Sequence, residues 1–234
     1  MTSAVRWTTG FLDSPSRGAE SFWQFVTRSG LSPRRGPGGE VATLLPVDGD
    51  AYLRVQVVGD GPARAHLDLH VEDVAAQARR VVGLGAVVVR DEGGSVVLRS
   101  PAGLVFCLVG GAGGPVVPAA GPAVVDQMCL DIPVAGFDAE ADFWAAVTGW
   151  ERRSFAGSEF DYLVRPAGMP LRLLLQRVGG PAGMHVDLAA VDRVAEVERH
   201  VALGASVVRV TPEWTTLRDP VGREYCVTDR VAFA

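Results

Sequence analysis

His66-Leu67-Asp68-Leu69 and His185-Val186-Asp187-Leu188 are one short stretch occurring twice, 119 residues apart. The offset then holds. Leu84-Gly85-Ala86 becomes Leu203-Gly204-Ala205, Leu98-Arg99-Ser100-Pro101 becomes Leu217-Arg218-Asp219-Pro220, and Phe106-Cys107 becomes Tyr225-Cys226. Between 66–107 and 185–226, 18 of 42 positions are identical without a gap. Upstream the match continues with small slips: Phe22-Trp23 answers Phe143-Trp144, and Gln56 answers Gln176. An ungapped match of this length is a duplication, so the differences between copies show where chemistry persists.

Between the copies, residues 110–122 are rich in glycine and proline, which disfavour a helix or a central strand. The expected division is a first domain over 1–111, a linker over 112–122 and a second domain over 123–234.

Each copy reads as strand, helix and three strands, twice over. In the first, strands are expected near 4–11, 41–45 and 51–58, with a helix over 16–28. Then come a strand at 64–71, a helix at 74–83, and strands near 86–90, 95–99 and 104–109. In the second, Val124–Ile132 alternates as a strand, and Asp138–Thr148 has helical spacing and stops at Gly149. Phe160–Val164, Leu171–Arg177 and Met184–Ala189 read as strands. Asp192 caps a helix through His200 that Gly204 ends. Ala205–Val210, Thr215–Leu217 and Glu224–Thr228 complete the series.

Composition narrows the function classes. A net charge of −5 without a basic cluster argues against a nucleic-acid partner. No apolar run approaches the roughly 20 residues that span a bilayer, and no leader pattern opens the chain. Cys107, Cys129 and Cys226 are odd in number and lack metal-site spacing, as expected of reduced thiols in a cytoplasmic protein. Gly36-Pro37-Gly38-Gly39 lacks the strand-then-helix setting of a phosphate loop and reads as a turn.

The chain resembles the vicinal oxygen chelate superfamily, which includes glyoxalase I, extradiol dioxygenases and bleomycin-resistance proteins, and within it the glyoxalase-like domains. The resemblance rests on the Phe-Trp pairs, Leu-Leu-Leu-Gln-Arg-Val (173–178), the His-x-Asp-Leu strands, the Leu-Gly-Ala helix exits and Leu-Arg-Asp-Pro-Val-Gly-Arg-Glu-Tyr-Cys (217–226). It implies an α+β fold of two tandem domains, each a pair of βαβββ units forming a cupped mixed sheet. It does not settle a reaction, because this fold hosts several chemistries.

Strand periodicity assigns faces within that fold. His185 and Asp187, Glu224 and Cys226, and Arg172, Leu174 and Gln176 should face the cup. Tyr225, Val227, Leu171, Leu173 and Leu175 should face the core. Metal-using members draw two ligands from each unit, one on the first strand and one on the last. The resemblance thus implies Gln127, Gln176, His185 and Glu224 as ligands for a divalent Zn, Ni, Fe or Mn ion in the second domain. Glu224 would double as a base, and Arg172 and Cys226 would contact substrate. Gln176 departs from the Glu expected there. In the first copy the positions are Thr8 (or Trp7), Gln56, His66 and Val105, and no metal is expected.

Each of these residues has a plainer alternative. His66 and His185 can fill the cup and hydrogen-bond Asp68 and Asp187. Glu224 can pair with Arg218 or Arg172, and Gln56 and Gln176 can orient a loop. Cys107 and Cys226 read as small pocket-lining groups, His70 as a rim residue, and Trp23 and Trp144 as anchors of helices to sheets. Two functions remain open: a metal-dependent lyase, isomerase or dioxygenase acting on a small oxygen-rich substrate through the second domain, or a non-catalytic small-molecule or drug binder like the bleomycin-resistance proteins. The expected partner is a small molecule, and the expected state a monomer or homodimer.

Overall fold

A computed structural model describes residues 5–59, 61–111, 113–114, 116–155 and 157–233. The expected domain limits at 1, 112 and 234, and Pro115 of the linker, lie outside the described residues.

In the first copy the elements are β1 (Val5–Ser14), a 3-10 turn (Arg17–Ala19), α1 (Glu20–Val26), β2 (Gly30–Leu31), β3 (Val41–Leu45) and β4 (Leu53–Val57). They continue as β5 (Arg64–Val71), α2 (Val74–Gly83), β6 (Val87–Asp91), β7 (Ser95–Arg99) and β8 (Val105–Gly110). In the second copy they are β9 (Ala123–Pro133), α3 (Phe137–Thr148), β10 (Arg152–Ser154), β11 (Phe160–Leu163) and β12 (Arg172–Val178). The chain ends through β13 (Gly183–Ala190), α4 (Arg193–Ala202), β14 (Ser206–Val210), β15 (Trp214–Arg218) and β16 (Glu224–Thr228).

Among the described residues the strands form two eight-stranded sheets, ordered β2-β3-β4-β1-β5-β8-β7-β6 and β10-β11-β12-β9-β13-β16-β15-β14. Both are mixed. β1 with β4, β5 with β8 and β13 with β16 run parallel, whereas the outer pairs are antiparallel. The α+β class and the tandem strand–helix–strands order are those expected. No described helix is long and apolar enough to cross a membrane.

Helix ends differ from the sequence reading at α1. Residues 17–19 form a 3-10 turn, because the Ser16 hydroxyl takes the Gly18 amide and tightens the start. Arg28 then adopts a left-handed φ of 53° and ends the run. Asp73 and Asp192 cap α2 and α4 by accepting the Ala76 and Ala195 amides. Gly149 closes α3 at φ 72°, a conformation that costs a side-chain-bearing residue more.

By contacts the chain divides into two compact units. The first holds the chain up to Thr9, His66–Gly113 and Met128–Met184; the second holds Gly10–Ala65, Gly114–Gln127 and the chain from His185 onward. Each unit therefore contains one strand–helix–strands module from each copy.

In the first unit, α3 lays Phe143 and Trp144 against Phe106 of β8, with ring centroids 6.2 and 4.9 Å away. Both Phe106 and Trp144 are fully buried, and burial of a large apolar side chain contributes about 1.5–3 kcal/mol. Arg80 of α2 donates to the Ala146 and Val147 carbonyls at the end of α3. In the second unit, α1 does the same on β16. Phe22 and Trp23 meet Tyr225 at 6.1 and 5.0 Å, and Arg199 of α4 donates to the Phe25 and Val26 carbonyls. Trp23 and Trp144 are thus anchors, as expected, and each rests on a strand of the other copy.

The described linker residues are neither helix nor strand, and Val116 and Ala119 are tied down within the second unit. Val116 exchanges hydrogen bonds with Asp50, Ala119 donates to Asp48, and the Tyr52 hydroxyl donates to the Val125 carbonyl.

Candidate metal and ligand site

Strand alternation positions the chemistry. In the first unit, Leu67 and Leu69 are buried with Phe106 and Leu108 on the side that meets the helices. His66, Asp68 and Cys107 therefore share the opposite face, and Asp68 pairs with Cys107 in register. One ligand atom from each of these three residues falls within 4.8 Å of the others. His66 Nε2 stands 3.6 Å from Asp68 Oδ1. Asp68 is 5% exposed, and among the described residues its Oδ1 has no hydrogen-bond partner. Burial pushes the Cys107 thiol pKa up, with the His66 hydrogen bond opposing it.

In the second unit the same three residue types recur on paired strands. Val186, Leu188, Tyr225 and Val227 are buried, with Tyr225 against the helices. His185 and Asp187 thus share the other face with Cys226, and Asp187 pairs with Cys226. His185 Nε2 stands 3.3 Å from Asp187 Oδ1, which again has no hydrogen-bond partner among the described residues. Asp187 Oδ2 instead accepts from the buried Gln127 amide. The Cys226 thiol pKa is raised by burial and by Asp187, against a hydrogen bond with His185, and its sulfur lies 3.5 Å from Thr216 Oγ1.

The other expected residues have different partners. Glu224 pairs with Arg218 at 2.6 Å, and both side chains are 49% exposed. In the first unit, Gln176 donates to Glu159 and accepts from Cys129 Sγ at 3.7 Å. Arg172 lies over the Tyr162 ring at 5.9 Å. Thr8 is fully buried, Trp7 is core, and Val105 pairs with Arg99. His70 bonds Thr9 Oγ1 at 2.9 Å. In the second unit, Gln56 pairs with Asp13 and Val41 along β4.

Sequence reasoning placed Asp187 on the cup face and gave Asp68 and Asp187 only a supporting role, as partners of His66 and His185. It read Cys107 as a small hydrophobe. The available signal was the repeat itself, since His, Asp and Cys are all among the identical positions.

The donors fit a divalent cation. Imidazole nitrogen, carboxylate oxygen and thiol sulfur form the mixed set that zinc-like ions accept. A tetrahedral centre with bonds of about 2.0–2.2 Å separates neighbouring N and O donors by about 3.3–3.6 Å. Both His-to-Asp spacings fall at that value. A buried carboxylate oxygen without a hydrogen bond is costly, and a cation would compensate it. A separate cavity of about 270 Å³ in the second unit is lined by Arg28, Leu44, Tyr52 and Pro118–Val125, and carries none of these donors.

The glyoxalase-like domain model matches residues 11–109 and 127–228. No curated protein sequence matches the chain. Among solved structures, the chain is similar to the Mn(II)-bound glyoxalase from Novosphingobium aromaticivorans, at TM-score 0.68 and 17% identity over 99% of this chain and 85% of that one. An extradiol ring-cleaving dioxygenase from B. fuscum aligns at TM-score 0.68 and 13% identity, over 97% and 72%. The 2,3-dioxygenase LapB from Pseudomonas sp. KL28 aligns at 0.66 and 12%, over 97% and 93%. At these identities the likeness is one of fold. With the family match covering most of both copies, the chain belongs to the glyoxalase-like domain family of the vicinal oxygen chelate superfamily.

Proposed function

We propose that the second copy carries a divalent-metal site at His185 and Asp187, with Cys226 beside them on the paired strand, that takes a small oxygen-rich ligand. The observation that carries this reading is the buried Asp187 Oδ1, 3.3 Å from His185 Nε2 and without a hydrogen bond among the described residues. Gln127 fixes the same carboxylate from its other oxygen, as an outer partner that orients a ligand does. A divalent cation there would polarise a carbonyl or hydroxyl oxygen of the bound molecule.

The chain's own groups limit the proton chemistry at this site. Glu224 is the expected base, but its Oε1 is engaged by Arg218. Thr216 presents a hydroxyl suited to contact rather than to general-base work. These two facts favour a second reading, a non-catalytic binder of small oxygen-rich molecules.

The test is metal analysis of protein purified without chelators, followed by an NMR screen with dicarbonyl–thiol adducts, diols and glycopeptide drugs. His185→Ala serves as control. Loss of one equivalent of metal in His185→Ala, with turnover of one compound class, supports the enzyme. Shifts at His185 and Gln127 without turnover support the binder. Absence of both metal and shifts overturns the site.

A further inference from the structure

The first copy was expected to hold no metal, because Val105 stands where a carboxylate ligand was sought. The geometry points to a different donor set two residues further on: we infer that His66, Asp68 and Cys107 form a thiolate-containing site for a zinc-like divalent cation within a single strand–helix–strands module.

Three observations support this. The ligand atoms of the three residues converge within 4.8 Å. They come from β5 and β8, adjacent parallel strands that set Asp68 opposite Cys107. Asp68 Oδ1 is buried, 3.6 Å from His66 Nε2, and no hydrogen bond of the described residues reaches it. A buried carboxylate oxygen without a hydrogen bond, facing an imidazole at 3.6 Å, is unfavourable unless a cation or a donor meets it.

The donor types also select the cation. Sulfur with imidazole nitrogen favours zinc or cobalt over magnesium, calcium or manganese, which prefer all-oxygen shells. As the metal–sulfur bond forms, the Cys107 thiol gives its proton to solvent, so the ion is held by one thiolate, one imidazole and one carboxylate. Three protein donors leave a fourth position for water or a ligand oxygen. Val105 then needs no part in binding. This site stands apart from the reading of the second copy, because every donor lies in the first unit.

The test uses the full chain with Cys129→Ser and Cys226→Ser, leaving Cys107 as its sole thiol. Titration with Co(II) under anaerobic conditions should give a near-ultraviolet thiolate-to-cobalt charge-transfer band that saturates at one equivalent. Adding Cys107→Ser should abolish the band, and Asp68→Asn should weaken binding about tenfold or more. As a measurement on the unmodified protein, Zn(II) should protect the Cys107 peptide from alkylation in a mass-spectrometric assay. A sole-thiol protein that folds but shows no charge-transfer band overturns the inference. So does Cys107 alkylation that is indifferent to Zn(II) in the unmodified chain.

Discussion

His200 Nδ1 lies 3.0 Å from the Tyr225 hydroxyl, and the His200 ring is completely buried. Its Nε2 faces Glu196 Oε1 at 3.0 Å. A carboxylate only accepts, so the neutral ring carries its proton on Nε2 and accepts the Tyr225 O–H at Nδ1. Burial lowers the His200 pKa against the pull of Glu196, with Arg199 and Arg28 adding to the lowering. Burial alone would raise the Glu196 pKa, but hydrogen bonds from His200, Arg199 and Arg28 hold it well below the usual range. Unfolding therefore takes up protons. The His200 contribution is complete above its ordinary pKa of about 6.5 and is lost as pH falls through that value. The Glu196 contribution is lost below about 4.5. The first unit has Gln77, Val81 and Phe106 at the repeated positions. Glu196→Gln/His200→Val/Tyr225→Phe should flatten the decline in stability between pH 6.5 and 4.5, measured by urea unfolding across that range. An unchanged slope would rule out this cluster as its source.

Arg223 is a buried cation with specific partners. It pairs with Asp219 at 2.8 Å, with both side chains at most 2% exposed, and donates to the Asp13 carbonyl and Ser14 Oγ. Asp219 also accepts the Trp23 indole N–H at 2.8 Å. The first copy has Leu104 and Ser100 at these positions. Arg223→Leu alone should cost about 3–5 kcal/mol, because it strands a buried carboxylate. Adding Asp219→Ser should recover at least half of that loss in thermal unfolding. A double variant no better than the single would show that the pair is not coupled.

Arg80 and Arg199 each close the end of a helix that comes from the other copy. Arg80→Ala should destabilise the protein by about 1–2 kcal/mol through loss of charge-assisted bonds to two carbonyls. Arg199→Ala should cost more, because Arg199 also pairs with Glu196. Equal losses, read from denaturant midpoints, would discount that extra contact.

Gln127 donates to Asp187 at the proposed second site. Gln127→Leu should weaken Zn(II) binding at the second copy by about 10–100-fold, and Asp187→Asn by more, in calorimetric titration. Unchanged affinity in both variants would exclude Asp187 as a ligand.

Much of the fold was legible in local pattern. The limits of β3, β5, α2, β7 and β16 agree with the sequence reading, because alternation and caps mark their ends. β2 and β10 were not read: with two and three residues they are too short to alternate. Periodicity showed that Phe143, Trp144, Phe22 and Trp23 form apolar faces, but not which strand they would cover. That choice depends on packing between distant parts of the chain. The site was partly legible for a similar reason. Alternation put His185, Asp187 and Cys226 on one face, whereas the missing hydrogen bond at Asp187 and the Arg218 partner of Glu224 depend on side-chain placement.

The exchange of helices has a consequence for any attempt to divide the molecule. A cut in the linker near Gly114 leaves fragments that each contain halves of two different cores. Trp23 without Tyr225, and Trp144 without Phe106, would be left with large apolar surfaces in water. Neither fragment should be soluble alone, yet the two expressed together should reassemble, as in a split reporter. The duplication thus made its two halves obligate complements rather than spare copies.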